Sequence, residues 1–390
     1  MAMTAPPRSL NRGRSRWGTP SASRARLGVD WRELDWVLLG AVIMITALGL
    51  VMVYSSTRNL VGDPYYFVKR QAVSLVIGVI AFLVILRIDY RKFRDFSMLA
   101  YIMVIGLLFV VVSPVGSSAK GAQAWIALPG GFQFQPSEIT KFLLVVALCG
   151  YVNEHRGDMD PWRITMILAL ALLPIGLVQL QPDLGTNMVF AAIVVGLLAV
   201  AGAKGRYLLV ILLLAATGIY AVVNLGLLKQ YQIDRLTSVI SPDTKTQTAA
   251  YNQDQSKKTI GAGGLTGAGL FQGKQTSLGY VPEQHTDFIY TAVGEELGFV
   301  GAASLLALFA VVMWRTWRTA RLARDYYGTL VCSAVFAMFA FQIFENVGMT
   351  MGIMPVTGIP LPLMSYGGSS LIATLACLGL VSNVYARRFT

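Results

Sequence analysis

Charge is scarce in this chain. Asp, Glu, Lys and Arg make up 13% of its 390 residues, against roughly 25% in ordinary soluble domains. That shortage excludes a soluble enzyme, whose surface is kept in water by charged side chains. Cysteine is nearly absent as well. Cys149, Cys332 and Cys377 each sit inside an apolar run, and their spacing fits no zinc, haem or disulfide framework, so they read as small core residues. The first 33 residues are rich in Arg, Ser, Pro and Gly and lack the apolar core and cleavage site of a signal peptide. What the chain has in excess is apolar residues, 55% of the total with a mean hydropathy of +0.59. Runs such as Val37 to Val53 and Leu208 to Leu228 contain almost nothing polar and call for hydrocarbon as solvent.

A spanning helix needs about 17 to 25 mostly apolar residues. Ten stretches qualify, at roughly 36–55, 70–87, 96–113, 137–153, 164–181, 185–202, 206–227, 296–315, 329–350 and 367–386. The sequence therefore predicts an all-α polytopic membrane protein of about ten transmembrane helices. With the N-terminus inside, 21 of the 32 Lys and Arg residues fall in inside segments and 10 outside, Lys141 lying within a helix. This bias over short loops is the positive-inside pattern, and it places both termini in the cytoplasm. The net charge of +12 thus encodes topology, and no nucleic-acid partner is expected. Residues 1–33 read as a disordered basic cytoplasmic tail suited to anionic membrane lipids. Residues 34–390 form a single transmembrane domain with a large extracellular loop, 228–285, between the seventh and eighth helices. Trp31, Trp36, Trp162, Trp314 and Trp317 fall at predicted helix ends, as interfacial anchors do.

Polar groups that hydrocarbon makes costly mark where function could lie. In Pro136-Ser137-Glu138-Ile139-Thr140-Lys141, three-residue spacing puts Glu138 and Lys141 on nearly one helix face. They are either a buried ion pair or a cation for an anionic headgroup held in place by a carboxylate. In Gln181-Pro182-Asp183-Leu184-Gly185-Thr186, Asp183 is a helix cap or a ligand for substrate, with Thr186 beside it. The run from Pro360 to Ser370, with Ser365 and Ser369, ends in small residues at a helix start, which suits either a phosphate or close helix packing. His285, Thr286 and Asp287 close a loop dense in glycine, a composition that fits a ligand cradle or a flexible linker. Asp287 is the candidate general base toward a hydroxyl, with capping of the eighth helix as its structural alternative and His285 as the alternative base. A bound Mg²⁺ or Mn²⁺ could bring Asp287 and a pyrophosphate together. A second outer loop, Ser113 to Gln135, carries Trp125 among glycines.

Six segments, in order, carry a family resemblance: Gly121 to Ile126, Gln135 to Glu138 with Lys141, Gln181 to Thr186, Gly261 to Gly273, Pro282 to Gly298 (PEQHTDFIYTAVGEELG), and Ser365 to Ser370. Together they resemble the SEDS family (shape, elongation, division and sporulation) of bacterial peptidoglycan glycosyltransferases, over Trp36 to Arg388. Gly269 to Gln284 and Met354 to Pro362 are most similar to its RodA, or elongation, branch. The chain departs from the family at Asn252 to Thr259, where members carry more apolar residues.

The resemblance implies a multi-pass protein of the bacterial inner membrane that polymerises lipid II into glycan strands at the outer face and releases undecaprenyl pyrophosphate. It places the essential family aspartate on Asp287. It also implies a class B penicillin-binding protein, a transpeptidase, as partner within the elongation machinery. For a doubly charged leaving group the cations at hand are Lys141, Arg235 and a divalent metal ion, and Trp125 could stack on a sugar. The competing functions are a lipid II flippase or transporter, a division polymerase of the FtsW branch, and a non-catalytic scaffold. A flippase needs polar groups through the whole membrane depth, whereas those here gather on the outer side.

Overall fold

The computed structural model describes residues 31–114, 116–119, 122–127, 129–157, 159–224 and 248–389. The basic tail up to residue 30, the start of the large loop and Arg235 lie outside them. A 3-10 turn, Trp31–Glu33, leads into α1 (Trp36–Thr57), followed by α2 (Tyr66–Arg87), a short α3 (Tyr90–Asp95) and α4 (Ser97–Val112). After a small sheet come α5 (Pro136–Glu154), α6 (Pro161–Leu180), α7 (Leu184–Val200) and α8 (Gly205–Asn224). The second half holds α9 (Thr248–Ala262), α10 (Lys274–Leu278), α11 (Ile289–Leu322), α12 (Tyr326–Thr350) and α13 (Gly368–Ala386). Each of the ten expected stretches coincides with a helix. Six of them, α1, α2, α6, α11, α12 and α13, are long and apolar enough to cross a membrane, while α4, α7 and Gly205–Gly218 of α8 are shorter apolar helices.

Short polar side chains set where the helices begin. Asp35 accepts from the Leu38 amide at 3.1 Å, Asp160 from Arg163 at 3.0 Å and Asp325 from Gly328 at 2.7 Å, each satisfying an amide with no partner inside its own helix. The core is built around α13, which is buried along nearly all its length and packs on α2, α5 and α12. Asn383 of α13 donates to the carbonyls of Ile85, at 2.5 Å, and Ile88, closing the C-terminal end of α2. The two ends of the described chain meet there, with Arg388 donating to the Glu33 carbonyl at 3.1 Å. On the same side Arg315 and Asp35 form a buried pair at 2.7 Å. Trp36, Trp162, Trp314 and Trp317 are exposed at helix ends or near them, consistent with anchoring at a membrane interface.

Two expectations need correction, and the large loop takes on a conformation that the sequence did not specify. The fold is not purely helical: the second outer loop forms an antiparallel sheet of β1 (Ser117–Ala119), β2 (Ala122–Ala127) and β3 (Gln133–Phe134). Its backbone amides and carbonyls pair with one another across the strands. The large loop is structured from residue 248 onward. Its middle is the helix α9, fixed to the end of α12 by Gln253 donating to Met354 O at 2.7 Å and Ser256 to Thr350 O at 2.7 Å. Finally, the eighth expected span begins seven residues early, at Ile289, and is broken at Gly298, whose φ of 64° and ψ of −165° are not helical.

The break at Gly298 explains the glycine-rich segment. A Cβ on Gly298 would stand 2.3 Å from the Gly267 amide nitrogen, and one on Gly267 would stand 2.2 Å from Glu296 O. Only glycine lets the two backbones approach this closely. Ala268 and Gly269 donate to the carbonyls of Glu295 and Glu296 at 2.9 and 3.0 Å, and Phe299 and Val300 donate back to Gly264 and Leu265 at 2.9 and 3.1 Å. The segment is therefore a docked partner of the broken helix rather than a loose linker. Glu295 holds α10 by accepting from the amides of Gln275 and Thr276 at 2.7 and 2.8 Å.

Candidate functional site

Five of the six segments singled out in the sequence, all but Gly261 to Gly273, converge at the helix ends opposite the Asp35–Arg315 pair. They enclose a cavity of about 190 Å³ lined by residues from β2, α5, α7 and the loops that precede α11 and α13, including Trp125, Glu138, Lys141, Asp183, Thr186, Asp287 and Ser369.

Each polar group has an identifiable support. Lys141 and Glu138 pair at 2.6 Å with both side chains almost wholly buried, because Pro136 starts α5 and brings the two onto one face. Asp183 caps α7 and takes both donors of Thr186, the amide at 2.9 Å and the hydroxyl at 2.8 Å. Its second oxygen also accepts from Gln135 Nε2 at 3.4 Å. The Gln135 amide donates to Ser369 Oγ at 2.9 Å, which ties the sheet to the start of α13. Phe288, not Asp287, occupies the N-cap position of α11. Asn346 Nδ2 of α12 donates to the Asp287 carbonyl at 2.8 Å, and Tyr366 donates its amide to His285 O at 2.8 Å. The Asp287 segment is thus held from two sides by its backbone.

Two expected residues stand elsewhere. Ser365 does not line this cavity; its hydroxyl accepts the Leu361 amide at 2.9 Å and shapes the turn before α13. His285 faces a second cavity of about 500 Å³, which adjoins the first across Trp125, Thr286, Tyr366, Gly367 and Gly368. There it belongs to an aromatic group: its ring lies 4.8 Å from Phe67 and 5.6 Å from Tyr366, centroid to centroid.

That second cavity contains a cation that the reading of costly residues passed over. Arg70 lies over the Tyr66 ring at 4.4 Å and the Phe132 ring at 5.2 Å, and donates to Gly131 O at 2.6 Å. The signal was available, since Arg70 is one of few basic residues on an outer segment that the positive-inside pattern does not require. Burial pushes the ionisation of the neighbouring Tyr366 hydroxyl up, with Arg70 opposing, so this phenol keeps its donor at neutral pH.

Among the described residues no three His, Cys, Asp or Glu side chains gather as a metal would require. Of the cavity's carboxylates, Asp183 accepts from Thr186 and Gln135, and Glu138 from Lys141.

A family model described as cell cycle protein, of the FtsW, RodA and SpoVE type, matches residues 35–389. Stage V sporulation protein E of Bacillus subtilis is 36% identical over 90% of this chain and 96% of its own length. Peptidoglycan glycosyltransferase MrdB of Escherichia coli is 33% identical over 92% and 95%. A solved chain described under "Structural coordination of polymerization and crosslinking by a peptidoglycan synthase complex" superposes with a TM-score of 0.79 at 34% identity, covering 92% of this chain and all of that one.

Proposed function

Because the chain belongs to the FtsW, RodA and SpoVE family of cell cycle proteins, we propose that it is a peptidoglycan glycosyltransferase that polymerises lipid II during cell elongation. It would work as a multi-pass protein of the inner membrane, with ten spans, both termini in the cytoplasm and the cavity on the outer face. The observation that carries this reading is the meeting of Asp287, Lys141 and Trp125, distant in sequence, around one cavity at the helix ends.

In the proposed reaction the 4-hydroxyl of one lipid II attacks the anomeric carbon of the growing strand. The C–O bond to undecaprenyl pyrophosphate breaks and the hydroxyl proton passes to Asp287 as general base. Lys141, oriented by Glu138, stabilises the negative charge that builds on the departing pyrophosphate. A divalent cation, when bound, neutralises part of that same charge. Trp125 offers an apolar face to a sugar ring, and Thr186, Asp183 and Ser369 supply polar contacts around it. The Ser365 turn and His285 act on the second cavity's wall. The elongation branch rests on the loop segments Gly269 to Gln284 and Met354 to Pro362; similarity to a sporulation protein and to MrdB is nearly equal and does not separate the branches.

The partner proposed is a class B penicillin-binding protein, a pairing supported by the solved complex that joins polymerisation to crosslinking. The test is to purify the two together, supply lipid II and a divalent cation, and compare wild type with Asp287→Ala. Polymer from the wild type alone supports the assignment. Equal polymer from both removes Asp287 from the chemistry, and lipid II crossing vesicle membranes without polymer would favour a transporter.

A further inference from the structure

Asn346 stands near the outer end of α12 with its side chain fully buried. Its amide nitrogen donates to two carbonyls at once, that of Asp287 and that of Ile359, each at 2.8 Å. Both acceptors belong to residues lining the cavity that also holds Lys141 and Trp125. They stand on different walls, Asp287 in the segment before α11 and Ile359 in the segment before α13.

The residue type follows from the task. Carbonyls shut away from water need donors, and the segment around Ile359 is short of them because Pro355, Pro360 and Pro362 carry no N–H. A hydroxyl has one hydrogen to give and a carboxylate none, whereas a carboxamide nitrogen has two. With carbonyls as both partners, the nitrogen of Asn346 and not its oxygen must face them. One atom therefore ties two walls of the cavity, and the two carbonyls can stand no further apart than its two bonds reach.

Other bonds hold the same segment further from its centre. Gln284 Nε2 donates to the Thr276 and Thr291 hydroxyls at 3.0 and 2.8 Å, and His285 O accepts the Tyr366 amide at 2.8 Å. The bond from Asn346 falls on Asp287 itself. We propose that Asn346 is a positioning residue for glycosyl transfer: by clamping the Asp287 carbonyl to the Ile359 carbonyl it sets where the Asp287 side chain stands, and so how it meets the attacking hydroxyl. Asn346 is not among the residues lining the cavity and acts through Asp287. The proposal rests on the glycosyl-transfer reading above. A reacting group displaced by about 1 Å loses on the order of 10²-fold in rate.

Polymerisation kinetics and hydrogen exchange in lipid nanodiscs test it together. Asn346→Leu keeps the shape and removes both donors. It should lower kcat about 10²-fold with KM within about twofold of wild type. Amide exchange in residues 284–288 and 357–361 should rise about tenfold, the size of one lost buried hydrogen bond, with residues 263–273 unchanged. Asn346→Gln keeps both hydrogens one methylene further out, so it should retain wild-type exchange and fall only about tenfold in kcat, again at unchanged KM. Ser256→Ala is the control: it removes one buried bond, to Thr350 O at 2.7 Å, at the same end of α12 and should keep the wild-type kcat. Wild-type kcat in Asn346→Leu, a glutamine variant no better than the leucine one, or an equal loss in Ser256→Ala overturns the positioning role, as does a rise in KM alone. Wild-type kcat in Asn346→Gln shows that the placing does not matter and overturns it too, an arm that stands even where the leucine variant does not fold. A wild type that makes no polymer ends the glycosyl-transfer reading and the positioning role together, while exchange in the leucine variant still decides whether Asn346 joins the two segments.

Discussion

Lys141 Nζ and Glu138 Oε1 stand 2.6 Å apart, with side chains only 3% and 5% exposed, one turn inside the helix that walls the cavity. A buried pair of this kind adds little net stability, but removing one partner strands the other charge, at a cost of about 3–5 kcal/mol. Glu138→Ala should therefore unfold at clearly lower temperature than wild type, and the double variant Glu138→Ala/Lys141→Ala should recover part of the loss. Thermal unfolding in detergent or nanodiscs gives the comparison. Lys141→Ala should also lower kcat/KM by about 10²-fold or more, as loss of an electrostatic donor to a leaving group does. If the double variant is no more stable than Glu138→Ala, the pair is not stranding a charge.

Arg70 should contribute to binding more than to turnover. Its guanidinium is held between the Tyr66 and Phe132 rings and bonded to Gly131 O, a geometry that a point-charge ammonium cannot reproduce. Arg70→Ala is expected to raise KM for lipid II with a smaller fall in kcat, and Arg70→Lys to restore only part of it. A kcat loss at unchanged KM would place Arg70 at the reacting atoms instead.

Much of this site is legible in the sequence. The Glu138–Lys141 pair followed from spacing alone, and six ordered motifs pointed to the family that the full-length match supports. What stayed hidden was hidden for physical reasons. The small sheet around Trp125 gives only short, weakly alternating runs, too brief for a strand pattern to stand out. Small residues such as Ser365 beside a helix start suit a phosphate or close helix packing alike, and the turn that Ser365 shapes by accepting the Leu361 amide is visible only in the fold. The glycines between 261 and 273 left two readings open, since composition cannot reveal that a helix breaks thirty residues later to receive them.

That docking yields a prediction of its own. At Gly298 a side chain would meet both an unfavourable φ of 64° and the Gly267 amide at 2.3 Å. Gly298→Ala should cost about 1–3 kcal/mol or more, concentrated locally, so residues 263–273 become open to protease while the spanning helices stay folded. Unchanged protection of that segment would mean that the break tolerates a side chain.

The cation proposal separates by titration. If a divalent ion is shared between Asp287 and pyrophosphate, chelation should abolish polymerisation and added Mg²⁺ or Mn²⁺ should restore it, without shifting the unfolding temperature of the substrate-free protein. A chelator-induced fall in that temperature would point to a metal caged by the fold. Full activity in excess chelator would remove the cation from the reaction.

The Asp35–Arg315 pair supplies the matching control at the other end of the bundle. It too is buried, at 2.7 Å with exposures of 1% and 8%, and Asp35 also caps α1 through the Leu38 amide. Asp35→Ala removes both roles at once. The cap is worth about 1 kcal/mol, and the stranded guanidinium adds about 3–5 kcal/mol, so the fall in stability should equal or exceed that of Glu138→Ala. The two variants should part in their kinetics. Per folded molecule, Asp35→Ala should keep the wild-type kcat, because nothing at that end touches the cavity, whereas Glu138→Ala should lose turnover along with stability through its misplaced Lys141. A loss of kcat in Asp35→Ala at temperatures where it is fully folded would show instead that the two ends of the bundle are coupled.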